Sequence, residues 1–228
     1  MTFQCYNALM NSIVKQDEAK EACPLCHNKG KAFYKNEFYE CSQCSLIFRP
    51  KPQYPNPTAE KLRYEKHQND VQDKGYQQFV SPIVSAVLQD YSIKETGLDF
   101  GAGSGSAVSK LLEDKGYSIK QYDPFFHDYP ELLTTTYDYI VCCEVIEHFH
   151  NPAKEFQLLK ELLKEDGSLY CMTNLYKKEI DFPSWYYKND FTHVMFYQQK
   201  TLEWIKEKFG FFSIEIDNTL IKLTTSRH

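Results

Sequence analysis

No stretch of this chain approaches the roughly 18 consecutive apolar residues that a membrane-spanning helix needs, so no span and no membrane partner are expected. Met1 to Gln16 lack a basic segment leading into a long apolar run, so a secretory leader is not expected either. Lys and Arg form no run: 26 of them against 31 Asp and Glu leave a formal net charge of −5. That removes the usual electrostatic footprint of a nucleic-acid binder, although a local patch can hide within an acidic total. Internal repeats and low-complexity tracts are also missing. These absences lead us to expect a soluble, cytoplasmic protein. In that compartment cysteines stay reduced and serve more often as metal ligands than as disulfides.

What is present fits one ordinary domain with a small appendage, in 228 residues that are 42% hydrophobic and 15% aromatic. The cysteines are unevenly spread. Cys23 and Cys26 form one C-x-x-C pair, and Cys41 and Cys44 another. The interval of about 14 residues between the pairs is close to zinc-ribbon spacing. Four thiolates so placed can surround a tetrahedral Zn²⁺ with no open position, hence a structural ion. The segment 31–39, with aromatics about a charged turn, suits a hairpin between the two knuckles. Cys5 and Cys171 stand alone. Pro50, Pro52, Pro55 and Pro57 then mark an extended linker. Beyond it, 59–88 is helical in parts, with Phe79, Ile83, Val87 and Leu88 at near-helical spacing, and is a candidate cap over the next domain's ligand cleft. His67 and Asn69 are candidates to close the site from outside.

From Thr96 a short apolar strand runs into a glycine-rich turn, with Asp99, Gly101, Gly103 and Gly105. A helix follows, with Val108, Leu111 and Leu112 inward. Glycines let the backbone turn sharply and approach a ligand, and the helix N-terminus offers free N–H groups to it. The dinucleotide fingerprint places its third glycine one residue later. An acidic residue beside the turn suits a ligand bearing an ammonium group and would repel a pyrophosphate. The next strand, 117–122, ends at Asp123, whose carboxylate can accept from both hydroxyls of a ribose. An apolar strand, Tyr137 to Cys143, leads into Glu144-Val145-Ile146-Glu147-His148. Asn151 and Pro152 open a helix with Phe156, Leu159, Leu162 and Leu163 inward. Lys164 to Gly167 stop it before a strand at 168–173.

This D-x-G-x-G-x-G turn and the ordered series of blocks after it resemble class I S-adenosylmethionine-dependent methyltransferases. The resemblance is clearest over 96–173 and weaker to the end. It implies an α/β fold with a Rossmann-like sheet and the methyl donor over the C-terminal ends of the strands, beside Cys143 and Glu144 as well as the residues of the turn. There is one departure. The stretch 124–136 is too short for the usual helix and third strand, so either that strand is missing or 129–133 stands in for it. The adenine contact is therefore unassigned. Near the end, 201–209 reads as a helix stopped by Gly210, and 211–216 and 219–224 as the final antiparallel pair.

Two constellations are candidates for acceptor chemistry. Glu144, Glu147 and His148, with His193, could hold a second divalent ion. The E-x-x-E-H pattern resembles the metal site of ubiquinone-pathway catechol O-methyltransferases and of small-RNA 2′-O-methyltransferases. It also occurs in relatives without metal, where His148 would be a base or hold a loop. The other is the aromatic segment 181–197, with Trp185, Tyr186, Tyr187, Phe191 and Tyr197 as pocket walls or lid and His193 as a base. The domain reading is therefore 1–50 with the four-cysteine module, 51–90 as linker and cap, and 91–228 as the donor-binding domain. The leading function is methyl transfer to a small-molecule acceptor, in particular to oxygen. The alternatives are an rRNA or tRNA methyltransferase whose zinc module grips RNA, and a protein-interaction scaffold with a lapsed donor site.

Overall fold

The structure, a computed structural model, describes residues 20–66 and 70–226; Cys5, His67 and Asn69 lie outside them. Two sheets organise the chain. The larger runs in the order β10-β11-β8-β7-β5-β6. Its strands are β5 (Thr96–Phe100), β6 (Ser118–Tyr122), β7 (Tyr137–Cys143), β8 (Leu163–Met172), β10 (Ser213–Asp217) and β11 (Leu220–Thr224). β6, β5, β7 and β8 are mutually parallel, and β11 returns antiparallel between β8 and β10. The central strands β5 and β7 are buried along most of their length, as parallel strands covered on both faces must be. Helices supply that cover. α2 (Lys74–Asp90) and α3 (Ala107–Glu113) pack Val80, Ile83, Val87, Val108 and Leu112 on one face. α4 (Pro152–Glu161) and α5 (Gln199–Phe209) pack Phe156, Leu159, Leu202 and Ile205 on the other. This is the expected Rossmann-like α/β sheet.

The abbreviation at the third strand resolves as a loss. After Asp123 the chain makes a single bridge from Asp123 to His127, and then a 3-10 turn over Pro130–Thr134. Among the described residues nothing pairs outside β6, which is the sheet edge. Pro130 denies that stretch a ladder donor, and Tyr137 Oη instead ties the turn by bonding the Leu132 carbonyl.

Several local expectations shift. The proline run is not wholly extended. Lys51–Gln53 form a 3-10 turn, and Pro57 opens α1 (Pro57–Tyr64), with Asn56 Oδ1 capping Ala59 N. Proline suits that first helical position because its missing N–H would go unused there. In α2 the inner stripe is Val80, Ile83, Val84 and Val87, while Phe79 is exposed at 45%. α4 ends at Glu161, so β8 begins earlier than expected. Residues 164–167 bulge out between the pairs Tyr137–Leu163 and Tyr139–Ser168. Gly210 stops α5 in the left-handed conformation, as expected.

The second sheet belongs to the cysteine module. β1 (Lys20–Ala22), β2 (Lys29–Tyr34), β3 (Phe38–Cys41) and β4 (Ile47–Phe48) form an antiparallel meander. A fifth strand, β9 (Met195–Phe196), comes from the far end of the chain and pairs with β4 through Ile47–Phe196 and Phe48–Met195. The core is correspondingly continuous: Leu25, Leu46 and Phe48 share one buried cluster with Phe156, Tyr197 and Leu202.

Candidate active site and cysteine cluster

The glycine turn sits where β5 ends. Gly101 N and Ala102 N both donate to the Tyr122 carbonyl, which folds the turn back over β6. Gly101 (φ +83°) needs to be glycine twice over, since a Cβ there would lie 2.6 Å from the Val145 methyls. Gly103 (φ +62°) differs: a Cβ would meet nothing within 4 Å, because the turn opens there onto a cavity of about 1020 Å³. Asp123 lies on the same wall. Its Oδ2 accepts from Gly103 N at 3.0 Å, and its Oδ1 accepts from Phe125 N and Phe126 N at 2.8 and 3.1 Å. A carboxylate has about four lone-pair directions, two on each oxygen, so Oδ1 is fully committed and Oδ2 keeps one direction for a ligand hydroxyl. Asp99 is buried and accepts from Ser109 Oγ at 2.7 Å, tying β5 to the first turn of α3. Burial pushes its carboxyl up to about 6, against the lowering effect of Ser106 and Ser109. Asp99, Gly101, Gly103, Asp123, Cys143 and Glu144 all line the cavity; Gly105 does not.

The same cavity is also lined by His148 and His193, next to Glu144. Glu144 leaves β7 with φ +54°, a left-handed conformation costly for a side chain of this size. Its N–H bonds the Met172 carbonyl, which holds the turn against β8. Glu144 and Glu147 do not share an α-helical face; only Ile146–His148 form a 3-10 turn. Tyr187 joins the carboxyls instead. Its hydroxyl lies 3.3 Å from Glu144 Oε2 and 2.9 Å from Thr173 Oγ1, and bonds Glu147 Oε1. Glu144 Oε1 and Glu147 Oε2 are buried without a hydrogen-bond partner. Burial, with the neighbouring Glu147, pushes the Glu144 carboxyl up to about 9; burial pushes that of Glu147 up to about 7.

Each histidine has its Nδ1 against a backbone carbonyl. His148 Nδ1 lies 3.0 Å from the Thr192 carbonyl, and His193 Nδ1 lies 2.8 Å from the Tyr187 carbonyl. A carbonyl only accepts, so Nδ1 carries the proton and Nε2 is the basic nitrogen of each neutral ring. The rings meet edge to face with centroids 4.8 Å apart. Glu147, His148 and His193 each bring a ligating atom within 4.8 Å of the others; Glu144 stands outside that group. The donor set suits a divalent cation, since ligating histidines commonly give their second nitrogen to a carbonyl.

Further walls of the cavity come from the segment expected to be a cap. Tyr64 of α1 stacks edge-on against His148, and Arg63 pairs with Asp190 at 2.6 Å. Glu60 lies 3.3 Å from His150. Of the aromatic segment, Tyr186 and Phe191 are exposed at the cavity, Tyr187 is a buried part of its lining, and Trp185 and Tyr197 pack in the core. Sequence reasoning missed Arg63, Asp190, Glu60 and Thr173, because no motif spacing links residues that meet only through the fold.

The four cysteines form the second cluster. Their Sγ atoms all lie within 4.8 Å of one another, with Cys23–Cys44 at 3.7 Å and Cys26–Cys41 at 3.2 Å. A disulfide needs about 2.05 Å, whereas a Zn–S bond of about 2.3 Å in a tetrahedron sets sulfurs about 3.8 Å apart. The residues fit a zinc ion, and three of the four are buried.

The comparisons with known proteins agree with this geometry. A family model described as a methyltransferase domain matches residues 64–215. The ubiquinone biosynthesis O-methyltransferase of Actinobacillus pleuropneumoniae serotype 5b (strain L20) is 30% identical over 95 residues, 40% of this chain and 41% of that protein. The enzyme of the same name from Glaesserella parasuis serovar 5 is 32% identical over 95 residues, 40% of each chain. The chain thus matches about two fifths of the length of these curated relatives. An O-methyltransferase family protein from Burkholderia thailandensis superposes with TM-score 0.51 at 11% identity, covering 72% of this chain and 61% of that one. Human N-acetylserotonin methyltransferase, in complex with S-adenosylmethionine, gives TM-score 0.52 at 11% identity over 76% and 60%. At such identity these two likenesses concern fold alone. The chain belongs to the methyltransferase-domain family, with the fold of S-adenosylmethionine-dependent methyltransferases.

Proposed function

We propose that the protein transfers a methyl group from S-adenosylmethionine to a hydroxyl oxygen of a small-molecule acceptor. One observation carries this reading: the glycine turn with Asp123 and the Glu144–His148–His193 group line a single cavity. Its volume of about 1020 Å³ is at the upper end for small-molecule sites, which suits a donor and an acceptor side by side. The donor supplies an electrophilic methyl on a sulfonium. The chain does the rest. Asp123 accepts from a ribose hydroxyl with the one direction that its loop leaves on Oδ2. Asp99 holds the helix that offers its N-terminus, and the carboxyl of Glu144 marks the end where the donor's charged group meets the acceptor. His148, half-buried on the cavity wall with Nδ1 held by Thr192, takes the acceptor's proton on Nε2. The 30% and 32% identity to O-methyltransferases of ubiquinone biosynthesis supports oxygen as the acceptor atom.

A second reading of the acceptor end is favoured by the unpartnered Oε2 of Glu147 beside two oriented histidines. Glu147, His148 and His193 would hold a divalent cation there, whose chemistry would be to lower the pKa of the acceptor's hydroxyl. In the cysteine cluster, Cys23, Cys26, Cys41 and Cys44 hold zinc as a structural ion.

The test is calorimetric titration with S-adenosylhomocysteine. We expect one site per chain, weakened at least about tenfold, or about 1.4 kcal/mol, by Asp123→Ala. Absence of binding to the parent protein would sink the proposal. Magnesium or manganese titrated into metal-free protein decides the second reading: heat that disappears in His193→Ala supports the cation, and no heat removes it.

A further inference from the structure

The methyltransferase-domain match begins at residue 64, and the cysteine module lies wholly before it. The structure shows what the module touches. β4 leaves the cluster only three residues beyond Cys44 and forms a ladder with β9, the two residues Met195 and Phe196 that follow His193 and Val194. Arg49, next after β4, reaches back to the same segment: Nε donates to the His193 carbonyl at 3.1 Å and Nη2 to the Lys188 carbonyl at 2.8 Å. Its guanidinium also lies over the Phe38 ring, 4.3 Å from the centroid, so its plane is fixed from the module side. The Arg49 N–H bonds the Val194 carbonyl. Gln198 adds a third tie, donating to Glu40 Oε1 and to the Ser45 carbonyl.

The segment so gripped, 187–194, is the one that shapes the acceptor end. It carries the Tyr187 hydroxyl between Glu144 and Glu147, the Tyr187 carbonyl that fixes His193, and the Thr192 carbonyl that fixes His148. Val194 N in turn bonds the Glu147 carbonyl. This stretch has only a 3-10 turn over Tyr186–Asn189 and no longer element of its own to hold it. Among the described residues, no hydrogen bond or ion pair links the module to the glycine turn or to Asp123.

We propose that the four-cysteine module is the anchor of the acceptor half of the site, and that Arg49 is the positioning residue that sets the rings of His148 and His193 by clamping the carbonyls at both ends of 188–193. The inference rests on the reading of that end as the acceptor site. It makes zinc a requirement for acceptor chemistry and leaves donor binding independent of Arg49.

The test uses full-length, zinc-loaded protein and Arg49→Ala, with three readouts: imidazole nitrogen NMR spectra of His148 and His193, amide hydrogen exchange, and titration with S-adenosylhomocysteine. In the parent each ring should show a single Nδ1–H tautomer. In Arg49→Ala both rings should become tautomer mixtures, and amides in 190–197 should exchange about tenfold faster or more. Affinity for S-adenosylhomocysteine should stay within about twofold of the parent. Millimolar guanidinium should restore the ring spectra, which a general loss of packing would not allow. Unchanged ring spectra and unchanged exchange would overturn the proposal. If Arg49→Ala does not fold, Arg49→Lys carries the test, because one ammonium cannot span both carbonyls: intermediate spectra support the clamp and parent-like spectra overturn it. Failure of the parent to bind S-adenosylhomocysteine strikes the methyl-transfer reading and is read separately from the ring spectra.

Discussion

Asp123 commits three hydrogen bonds to the loop around it, so its carboxylate is oriented before any ligand arrives. The two flanking glycines differ in the same local terms, and substitution separates them. Gly101→Ala meets both a positive φ and Val145 at 2.6 Å. It should destabilise the protein by about 2–4 kcal/mol in denaturant unfolding. Gly103→Ala meets only the positive φ, so it should cost about 1 kcal/mol of stability, while its methyl projects into open space at the turn and weakens S-adenosylhomocysteine binding. Asp99 adds a pH dependence. Its folded pKa is raised from 3.8 to about 6 by burial. The stability it contributes is therefore present below about 3.8 and lost as pH rises through about 6. Unfolding of Asp99→Asn and the parent, compared from pH 4 to 7, should show the variant gaining by up to about 3 kcal/mol. These residues were legible in sequence because a glycine turn and an acid at a strand end are local patterns. The Tyr187 bridge was not, since a tyrosine in an aromatic segment does not announce which carboxyl it will meet.

Short elements carry most of what the sequence could not show. The parallel strands β5, β7 and β8 and the amphipathic helices have enough period to be read in advance, and the boundaries moved by a few residues at caps and bulges. β4 and β9 have two residues each, too few for alternation to mark them, and their pairing joins distant parts of the chain. The missing third strand was visible only as a shortage of residues, and the Pro130 turn accounts for it. At this scale zinc is the testable element. Native mass spectrometry should find one zinc per chain, and Cys41→Ser should lose it. Because the module shares its core with α4 and α5, that loss should cost the whole protein stability on the order of several kcal/mol. A zinc-free parent of equal stability would contradict the assignment.

For the molecule as a whole, two sheets built from distant parts of the chain share a buried core. On the proposed reading, the sheet, fixed by long periodic elements, presents the donor end at the C-terminal edges of β5, β6 and β7, and the acceptor end is assembled from the β7 turn, the helix α1 and the 187–194 segment, with the cysteine module as its proposed anchor. Among the described residues no helix is long and apolar enough to cross a membrane. The central claim is that donor and acceptor ends face each other across one cavity. A crystal structure of the protein with S-adenosylhomocysteine tests it most directly. The account predicts a ribose hydroxyl on Asp123 and the sulfur turned toward Glu144 and His148; a ligand bound elsewhere, or one whose sulfur points away from that pair, would contradict it.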